Sequence, residues 1–334
     1  MKTYHYFESP LKIFGLPFFE KNGKLARLTD EVMQQLPSLN FFGRRCPGAR
    51  LCFRTNAEKF IVKITFETFS FDVGMSIYSC QSAAILLGER PFARFAALVN
   101  PPDYNTFTFQ KTICKSAEME DVTIFLPRNE IISDIEIEVD DGADVEAPTP
   151  YRNIKPILYY GSSITEGGCS CNIFNVYNAI LSNRLNVDYY NFGFSASAKG
   201  ELEMAQCISD IDMSLFVYDY DRNAPTADHL RRTHEPFFEL IREKKPDLPI
   251  IMMSKPATHY DEEDIERRDI ILATYHHAME KGDKNVYFVD GESFYGDHDR
   301  ELCTIDLVHP NDIGFLRMAN ILEPVVRKAL CIQA

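Results

Sequence analysis

The sequence predicts a protein of two parts, an all-β sandwich followed by a flavodoxin-like, three-layer α/β/α domain with five parallel strands. Three observations lead to this fold class. The chain has 334 residues, which is more than one ordinary hydrophobic core holds. Up to about residue 140, short runs of alternating apolar and polar residues lie between turn residues. Beyond about residue 154, short apolar runs alternate with helical segments, as is typical of a parallel sheet.

Alternation of apolar and polar residues defines the strands of the first part. Phe60–Glu67 places its apolar side chains on one face, and Ile135–Asp140 does the same with its acids on the other face. Turn residues separate such runs at Pro47-Gly48, Pro101–Asp103 and Pro127–Asn129. No helical period extends over more than a few turns here. Many short strands with turns between them predict a sandwich, or a jelly roll.

An acidic, proline-containing segment, Asp141–Pro150, separates the two parts and has few apolar residues to bury. Such a composition is typical of a linker or domain boundary. We therefore expect a β-sandwich or jelly-roll-like domain over residues 1–145 and an α/β/α domain over residues 146–334.

In the second part, strands and helices alternate. This alternation predicts a parallel sheet with right-handed crossovers, most simply in flavodoxin-like strand order. Thr226 is a suitable N-cap for the third helix. The predicted strands are Ile157–Tyr160, Val187–Asn191, Leu215–Asp219, Leu248–Met253 and Val286–Asp290. The predicted helices are Asn175–Leu185, Glu201–Ile208, Thr226–Lys244, Asp261–Lys281 and Asn311–Leu330.

Composition restricts the partners and the compartment. A net charge of −14 argues against a nucleic acid or an anionic membrane as partner, because both need a cationic face. The amino terminus has no apolar segment of signal-peptide length and no run could span a bilayer, so we expect a cytoplasmic protein. The nine cysteines then indicate reduced thiols. Cys169 and Cys171 lack a second pair at zinc spacing, and we expect neither metal nor cofactor.

Polar residues follow four of the five predicted strands. Ser163 follows the first strand, Gly193–Ala196 the second and Asn223 the third, while Asp306 and His309 follow the fifth. Side chains that leave the same edge of a parallel sheet can converge, and ligands bind at that edge in α/β proteins. The sequence therefore predicts one site built from four distant segments.

These residue types suit acyl transfer. A serine hydroxyl needs a base within hydrogen-bond reach, a task that histidine performs near neutral pH. A carboxylate holds the base in one tautomer, and fixed donors stabilise the oxyanion. Asp306 and His309 lie on a predicted tight turn into the last helix, with Pro310 near the first helical position. From that turn, the carboxylate can meet one imidazole nitrogen while the other faces Ser163.

Each of these residues also has a plainer interpretation. Ser163 could lie in a Ser/Gly-rich surface turn. Asp306 could cap the last helix with His309 on the surface, and Asn223 could be an ordinary turn residue. His259, after the fourth strand, is the serious competitor as base. Asp219 and Asp221 could suggest metal or glycosidase chemistry, but acids at a strand end more often hold a loop by hydrogen bonds, which we favour here.

Four segments of the second part resemble the conserved blocks of the SGNH hydrolases, also called GDSL-type esterases. Their order and spacing are more specific than any single segment. The resemblance covers the chain from about residue 154 onwards. The segments are Gly161-Ser162-Ser163-Ile164-Thr165, Asn191-Phe192-Gly193-Phe194-Ser195-Ala196, Asp219-Tyr220-Asp221-Arg222-Asn223 and Asp306-Leu307-Val308-His309-Pro310.

This resemblance implies a role for each residue of the site. Ser163 would be the nucleophile, His309 the base and Asp306 the acid that orients it. The oxyanion donors would be the Ser163 N–H, the Ala196 N–H and the Asn223 side chain. The chain also resembles the subfamily in which a β-sandwich precedes the SGNH domain.

Two positions depart from the family pattern. Ser162 stands where an aspartate is usual, and Ala196 stands where a glycine is usual. We expect the Ala196 N–H to remain a donor only if φ at this residue is negative. Its methyl group would also narrow the space beside the acyl carbon.

Three functions are compatible with the sequence. The first is a serine esterase that hydrolyses a short acyl ester, such as an acetyl group on a small molecule or a carbohydrate. The second is an acyltransferase that uses the same three residues and requires a drier, more enclosed pocket. The third is a carbohydrate-binding protein that has lost catalysis, against which the intact Ser163, Asn223, Asp306 and His309 argue.

Overall fold

The amino-terminal part consists of two antiparallel sheets. The structure, a computed structural model, describes residues 1–333. One sheet has the strand order β1-β9-β4-β7, and the other has the order β10-β3-β8-β5-β6 with β2 paired to β3. The strands are β1 Lys2–His5, β2 Lys12–Phe14, β3 Arg50–Thr55, β4 Lys59–Phe66, β5 Ala83–Leu87, β6 Arg94–Val99, β7 Thr108–Cys114, β8 Glu120–Phe125, β9 Ile132–Val139 and β10 Val145–Glu146.

Alternation along β4 builds the core of this part, as the sequence predicts. Phe60, Val62 and Ile64 are fully buried, whereas the residues between them are partly exposed. They pack in one cluster with Ile135 and Ile137 of β9. Burying side chains of this size contributes about 1.5–3 kcal/mol each.

The segment that we predicted as a linker is partly a strand. Val145 pairs with Thr55 and Glu146 with Arg54, so β10 forms an edge of the second sheet. Beyond it, Pro148–Lys155 has no regular structure.

Short helices between β2 and β3 were not predicted. They are α1 Phe19–Asn22, α2 Asp30–Gln35 and α3 Asn40–Gly43, and α4 Ile77–Cys80 lies farther along the chain. Leu28, Met33, Leu36 and Leu39 of this region pack into the core of the second part rather than into the sandwich. These helices have four to six residues, which is too few to establish a periodic pattern.

The second part contains five parallel strands in the order β12-β11-β13-β14-β15, which confirms the flavodoxin-like prediction. One predicted strand, Leu215–Asp219, matches β13 in both bounds. Three others differ by one or two residues at one end, and the predicted Val187–Asn191 differs from β12 by two residues at both ends. The observed strands are β11 Ile157–Gly161, β12 Tyr189–Gly193, β13 Leu215–Asp219, β14 Ile250–Met253 and β15 Val286–Val289.

Helices cover both faces of this sheet. Alternate residues of β11 take part in different cores: Leu158 and Tyr160 pack with α7, α8 and α9, whereas Ile157 and Tyr159 pack with α6 and α10. This arrangement gives the three layers. The helices are α5 Ser163–Glu166, α6 Tyr177–Leu185, α7 Leu202–Ser209, α8 Ala227–Lys244, α9 Glu262–Glu280 and α10 Asp312–Ala329.

Helix caps explain where the long helices begin. Thr226 caps α8, as predicted, by accepting a hydrogen bond from the His229 N–H. The start predicted for α10 was one residue early, because Asn311 is its N-cap and accepts from two N–H groups of the first turn. Pro310 therefore precedes the cap and is not the first helical residue. Among residues 1–333, no helix has the length and apolar character that crossing a membrane requires.

Candidate active site

Ser163 lies at the carboxyl end of β11, where the chain turns directly into α5. Ser162 forms this turn, because its hydroxyl accepts a hydrogen bond from the Ile164 N–H and caps the helix. A side chain at Gly161 would not fit, since its Cβ would lie 2.0 Å from the carbonyl oxygen of Asp219. The Ser163 N–H, as the first of the helix, has no intrahelical partner.

A hydrogen-bonded chain joins the three residues expected to perform the chemistry. The Ser163 hydroxyl lies 2.9 Å from Nε2 of His309. Nδ1 of the same imidazole lies 2.7 Å from Oδ2 of Asp306. The side chains of His309 and Asp306 are 28% and 45% exposed, so the site is open to water. His259, the competitor, instead lies 3.5 Å from Glu301 on the surface.

The loop that carries Asp306 and His309 is closed on itself. Thr304 and Pro310 form an isolated β-bridge at its base. Inside it, Oδ1 of Asp306 accepts the N–H groups of Val308 (3.0 Å) and His309 (2.7 Å). Asp306 therefore orders the turn with one oxygen and meets the imidazole with the other, and it does not cap α10.

Asp306 has a lowered pKa. Partial burial of its carboxyl opposes ionisation and acts to raise the pKa, but hydrogen bonds from the His309 N–H, the imidazole and the Val308 N–H outweigh that effect. Hydrogen bonds to the charged form favour it. The carboxylate is thus ionised at neutral pH and can accept a hydrogen bond from Nδ1 of His309.

The loop after β12 contains an alanine in an unusual backbone conformation. Ala196 has φ +54°, in the left-handed region, so the condition of a negative φ, under which we expected its N–H to remain a donor, is not met. A non-glycine residue there costs about 1–2 kcal/mol. The Ala196 N–H donates to no other group of residues 1–333. The loop keeps the backbone shape that a glycine would adopt, and Ala196 is exposed.

Two buried charges hold that loop. Oε2 of Glu166 accepts from the N–H (3.0 Å) and the hydroxyl (2.6 Å) of Ser195. Oε1 lies 3.6 Å from Nη2 of Arg27, with both side chains almost fully buried. Arg27 also donates to the carbonyl oxygens of Asn191 (3.0 Å) and Gly193 (2.5 Å). Sequence reasoning missed both residues. Arg27 belongs to the amino-terminal part, and no signal in the sequence indicates that it supports this loop.

Asn223 lies in a 3₁₀ turn, Asp221–Asn223, after β13. Its Nδ2 donates to the carbonyl oxygen of Phe194 at 2.8 Å. An amide NH₂ has two donors, so one N–H fixes the side chain against the Ala196 loop while the second remains. The structure thus brings the loops of Ala196 and Asn223 into direct contact.

The acids at the end of β13 hold loops, as we favoured. Asp219 accepts from the Thr165 hydroxyl at 3.1 Å, and Asp221 accepts from the Lys255 N–H at 3.0 Å. Burial raises the pKa of Asp219 well above its ordinary value, and the neighbouring Asp221 raises it further. Burial also raises the pKa of Asp221 to about 6, against lowering hydrogen bonds such as that from Lys255.

The cysteines form no disulfide among residues 1–333. Within that range, no group of three His, Cys, Asp or Glu side chains is placed to hold a metal ion. Burial raises the pKa of Cys169 to about 11, so its thiol is protonated at neutral pH.

Comparison with known proteins assigns the family. The profile of the GDSL-like lipase/acylhydrolase family matches residues 154–327, more than half of the chain. The chain belongs to this family. It is accordingly an enzyme of the SGNH type that acts on carboxylic esters. No curated protein sequence gives a match.

Solved structures share the fold over most or nearly all of the chain. A protein described as a GDSL-like lipase from Bacteroides ovatus is 24% identical, with a TM-score of 0.89 over 99% of this chain and 98% of that one. The salicylyl-acyltransferase SsfX3 from a tetracycline biosynthetic pathway is 18% identical, with a TM-score of 0.82 over 99% of both chains. A family two carbohydrate esterase from Clostridium thermocellum is 17% identical, with a TM-score of 0.60 over 86% of this chain and 94% of that one.

Proposed function

We propose that this GDSL-family member is a serine esterase that hydrolyses short-chain carboxylic esters through an acyl-enzyme. The observation that carries the proposal is the unbroken contact from Ser163 through His309 to Asp306, at 2.9 and 2.7 Å. A nucleophile, a base and an orienting acid within hydrogen-bond reach are what this chemistry requires.

The reaction has two halves. In the first, the Ser163 hydroxyl attacks the ester carbonyl while Nε2 of His309 takes the hydroxyl proton. The carbonyl oxygen becomes an oxyanion, which accepts hydrogen bonds from the N–H groups of Ser163 and Ala196 and from the Asn223 amide. The intermediate collapses, and His309 returns the proton to the departing alkoxide. In the second half, water attacks the acyl-enzyme while His309 takes one of its protons. The second tetrahedral intermediate then releases the carboxylic acid as His309 returns that proton to the Ser163 oxygen.

The exposure of the site favours water as acceptor. An acyltransferase must exclude water from the acyl-enzyme, yet the Asp306 and His309 side chains are 45% and 28% exposed. The likeness to a salicylyl-acyltransferase rests on the fold, so transfer to an alcohol is retained as an outcome of the test. A protein that only binds carbohydrate does not require the Ser163–His309 contact.

The preferred acyl group is acetyl. Ala196 is exposed on the loop whose N–H would hold the oxyanion, and its methyl group would take up space beside the acyl carbon. Carbohydrate esterases share the two-part fold, and we extend the proposal to acetyl groups on carbohydrates. Neither a metal nor a cofactor is part of this mechanism.

Hydrolysis of p-nitrophenyl esters tests the class. We expect wild type to cleave the acetate faster than the octanoate and Ser163→Ala to lose at least about 10³-fold in kcat/KM. Product analysis with and without added sugar alcohols separates hydrolysis from transfer. Equal activity of wild type and Ser163→Ala at every chain length would rule the proposal out.

A further inference from the structure

A buried arginine of the sandwich has no carboxylate partner. Arg128, in the turn after β8, is only 2% exposed. Its Nη2 contacts the sulfur atoms of Met75 and Cys80, the latter at 3.5 Å, and sulfur is a weak acceptor. Its Nε is buried without a hydrogen-bond partner among residues 1–333. A buried cation left in this state is costly unless something completes its interactions.

Two acids of the sandwich, Glu130 and Asp72, already accept hydrogen bonds from other groups. Both oxygens of the fully buried Glu130 accept hydrogen bonds, from Ser70, Thr68 and Gln81. Asp72 accepts from the Gly74 N–H. No carboxylate of residues 1–333 comes within ion-pair distance of Arg128, in contrast to Arg27, which has Glu166. The charge of Arg128 is therefore not neutralised by a carboxylate of the described residues.

Arg128 lies beside the candidate active site. Its Nη1 and Cδ2 of the His309 ring both lie 3.6 Å from one point, the position that a Cβ on Gly168 would occupy. The same point lies 3.1 Å from the carbonyl oxygen of Ser163. Because Gly168 has no side chain, the space between the guanidinium and the imidazole is not filled by this residue.

We propose that Arg128 binds a carboxylate carried by the ester substrate, so that the enzyme prefers acidic esters to neutral ones. This inference rests on the proposed function and names its substrate class. The sandwich thereby contributes a binding residue to the active site. The net charge of −14 repels anions from afar, but salt screens that repulsion beyond about 8 Å, whereas the contact with Arg128 is local.

Matched ester pairs test which substrates need Arg128. On the acyl side, 4-nitrophenyl hemiglutarate is compared with 4-nitrophenyl valerate. On the alcohol side, 3-carboxyphenyl acetate is compared with phenyl acetate. For at least one pair we expect Arg128→Met to lower kcat/KM of the acidic ester about 10- to 100-fold, the usual contribution of a hydrogen bond to a charged group. The neutral ester should change less than threefold.

Two further variants separate binding from folding. Arg128→Lys keeps the charge and should recover part of the preference for the acidic ester. Arg94→Met removes an arginine of the same sandwich that is 58% exposed and pairs with Glu120, and it should leave both esters unchanged. An equal loss for acidic and neutral esters in Arg128→Met, or no loss for either, overturns the proposal.

Ligand binding without turnover keeps this result separate from the esterase proposal. At constant ionic strength, glutarate should raise the melting temperature of wild type and of Ser163→Ala, whereas glutaramide should not. If no ester is hydrolysed but glutarate still binds, the esterase proposal fails and the anion site stands. If esters are hydrolysed but glutarate and glutaramide act alike, the anion site is refuted, even where Arg128→Met does not fold.

Discussion

Replacing Asp306 by asparagine isolates its effect on the imidazole from its effect on the turn. The asparagine side chain would keep Oδ1, which accepts the Val308 and His309 N–H groups. It would place an NH₂ group where Oδ2 of the aspartate now lies 2.7 Å from Nδ1 of His309. Facing a donor, Nδ1 must present its lone pair, so the proton moves to Nε2. That nitrogen then cannot take the proton of Ser163.

The expected loss is about 10²- to 10³-fold in kcat/KM. A wrong tautomer costs about 10⁴-fold where the aspartate is buried, but here the side chain is 45% exposed and water can compete for the imidazole. The loss corresponds to about 3–4 kcal/mol of transition-state stabilisation. Folding stability should fall by less than about 1 kcal/mol, because the turn keeps its two hydrogen bonds.

Hydrolysis of p-nitrophenyl acetate between pH 6 and 10, together with thermal unfolding, measures both effects. Asp306→Ala is the matched control, since it removes the turn and the imidazole partner together and should melt at a lower temperature. If Asp306→Asn retains activity within threefold of wild type, Asp306 does not orient the base and the three-residue mechanism is wrong.

Three further changes test the loops and the buried acids. Ala196→Gly should relieve a backbone cost of about 1–2 kcal/mol, partly offset by about 0.4–1 kcal/mol because glycine raises the entropy of the unfolded chain. We expect a slightly higher melting temperature and a larger ratio of kcat/KM for the butyrate ester to kcat/KM for the acetate ester. A lower melting temperature would contradict backbone strain at Ala196. Folding raises the pKa of Asp221 from 3.8 to about 6, so the folded state binds the proton more tightly and loses up to about 3 kcal/mol of stability as pH rises through 4–6. Denaturant unfolding at pH 4 and 8 should show that the free energy of unfolding of Asp221→Asn, relative to wild type, is higher at pH 8 than at pH 4. The same pH dependence in both proteins would contradict the raised pKa. Arg27→Met removes one partner of a buried ion pair and should lower folding stability by about 3–5 kcal/mol. Because Arg27 also donates to the carbonyls of Asn191 and Gly193, kcat should fall by a larger factor than KM rises. An unchanged kcat in folded protein would show that Arg27 does not position the loop.

The second part of the fold could be predicted because its signals are local. Buried strands such as Leu215–Asp219 are uninterrupted apolar runs, and Thr226 marks its helix start by its own hydroxyl. The alternation of elements predicted a parallel sheet, and the flavodoxin-like order that we expected for it is the observed one. β14 begins at Ile250, after Pro249, rather than at Leu248. The apolar run alone did not indicate this later start.

Contacts between distant segments could not be predicted. Arg27 and Arg128 are two among 35 lysines and arginines, and only tertiary packing buries them beside the second part. The helices between β2 and β3 are shorter than the windows in which a period can be recognised. The positive φ of Ala196 contradicts residue preference, because the contacts of the loop determine its backbone. The domain boundary at residue 145 and the jelly-roll connectivity stay predictions.

The same limits apply to the site. The family pattern located Ser163, Ala196, Asn223, Asp306 and His309, and the structure brings the serine, histidine and aspartate into contact. Glu166, Arg27 and Arg128 belong to no sequence motif. They could be found only by asking which groups satisfy the backbone of the Ala196 loop and which buried charges lack a partner.

Covalent labelling of Ser163 tests the central claim most directly. Wild type is treated with a fluorophosphonate probe, and the modified peptide is identified by mass spectrometry beside Ser163→Ala and His309→Ala. We expect one adduct on Ser163, none in Ser163→Ala, and labelling slowed by at least about 10²-fold in His309→Ala. Folded wild type that remains unlabelled at Ser163, or that is labelled equally fast without His309, would contradict the account.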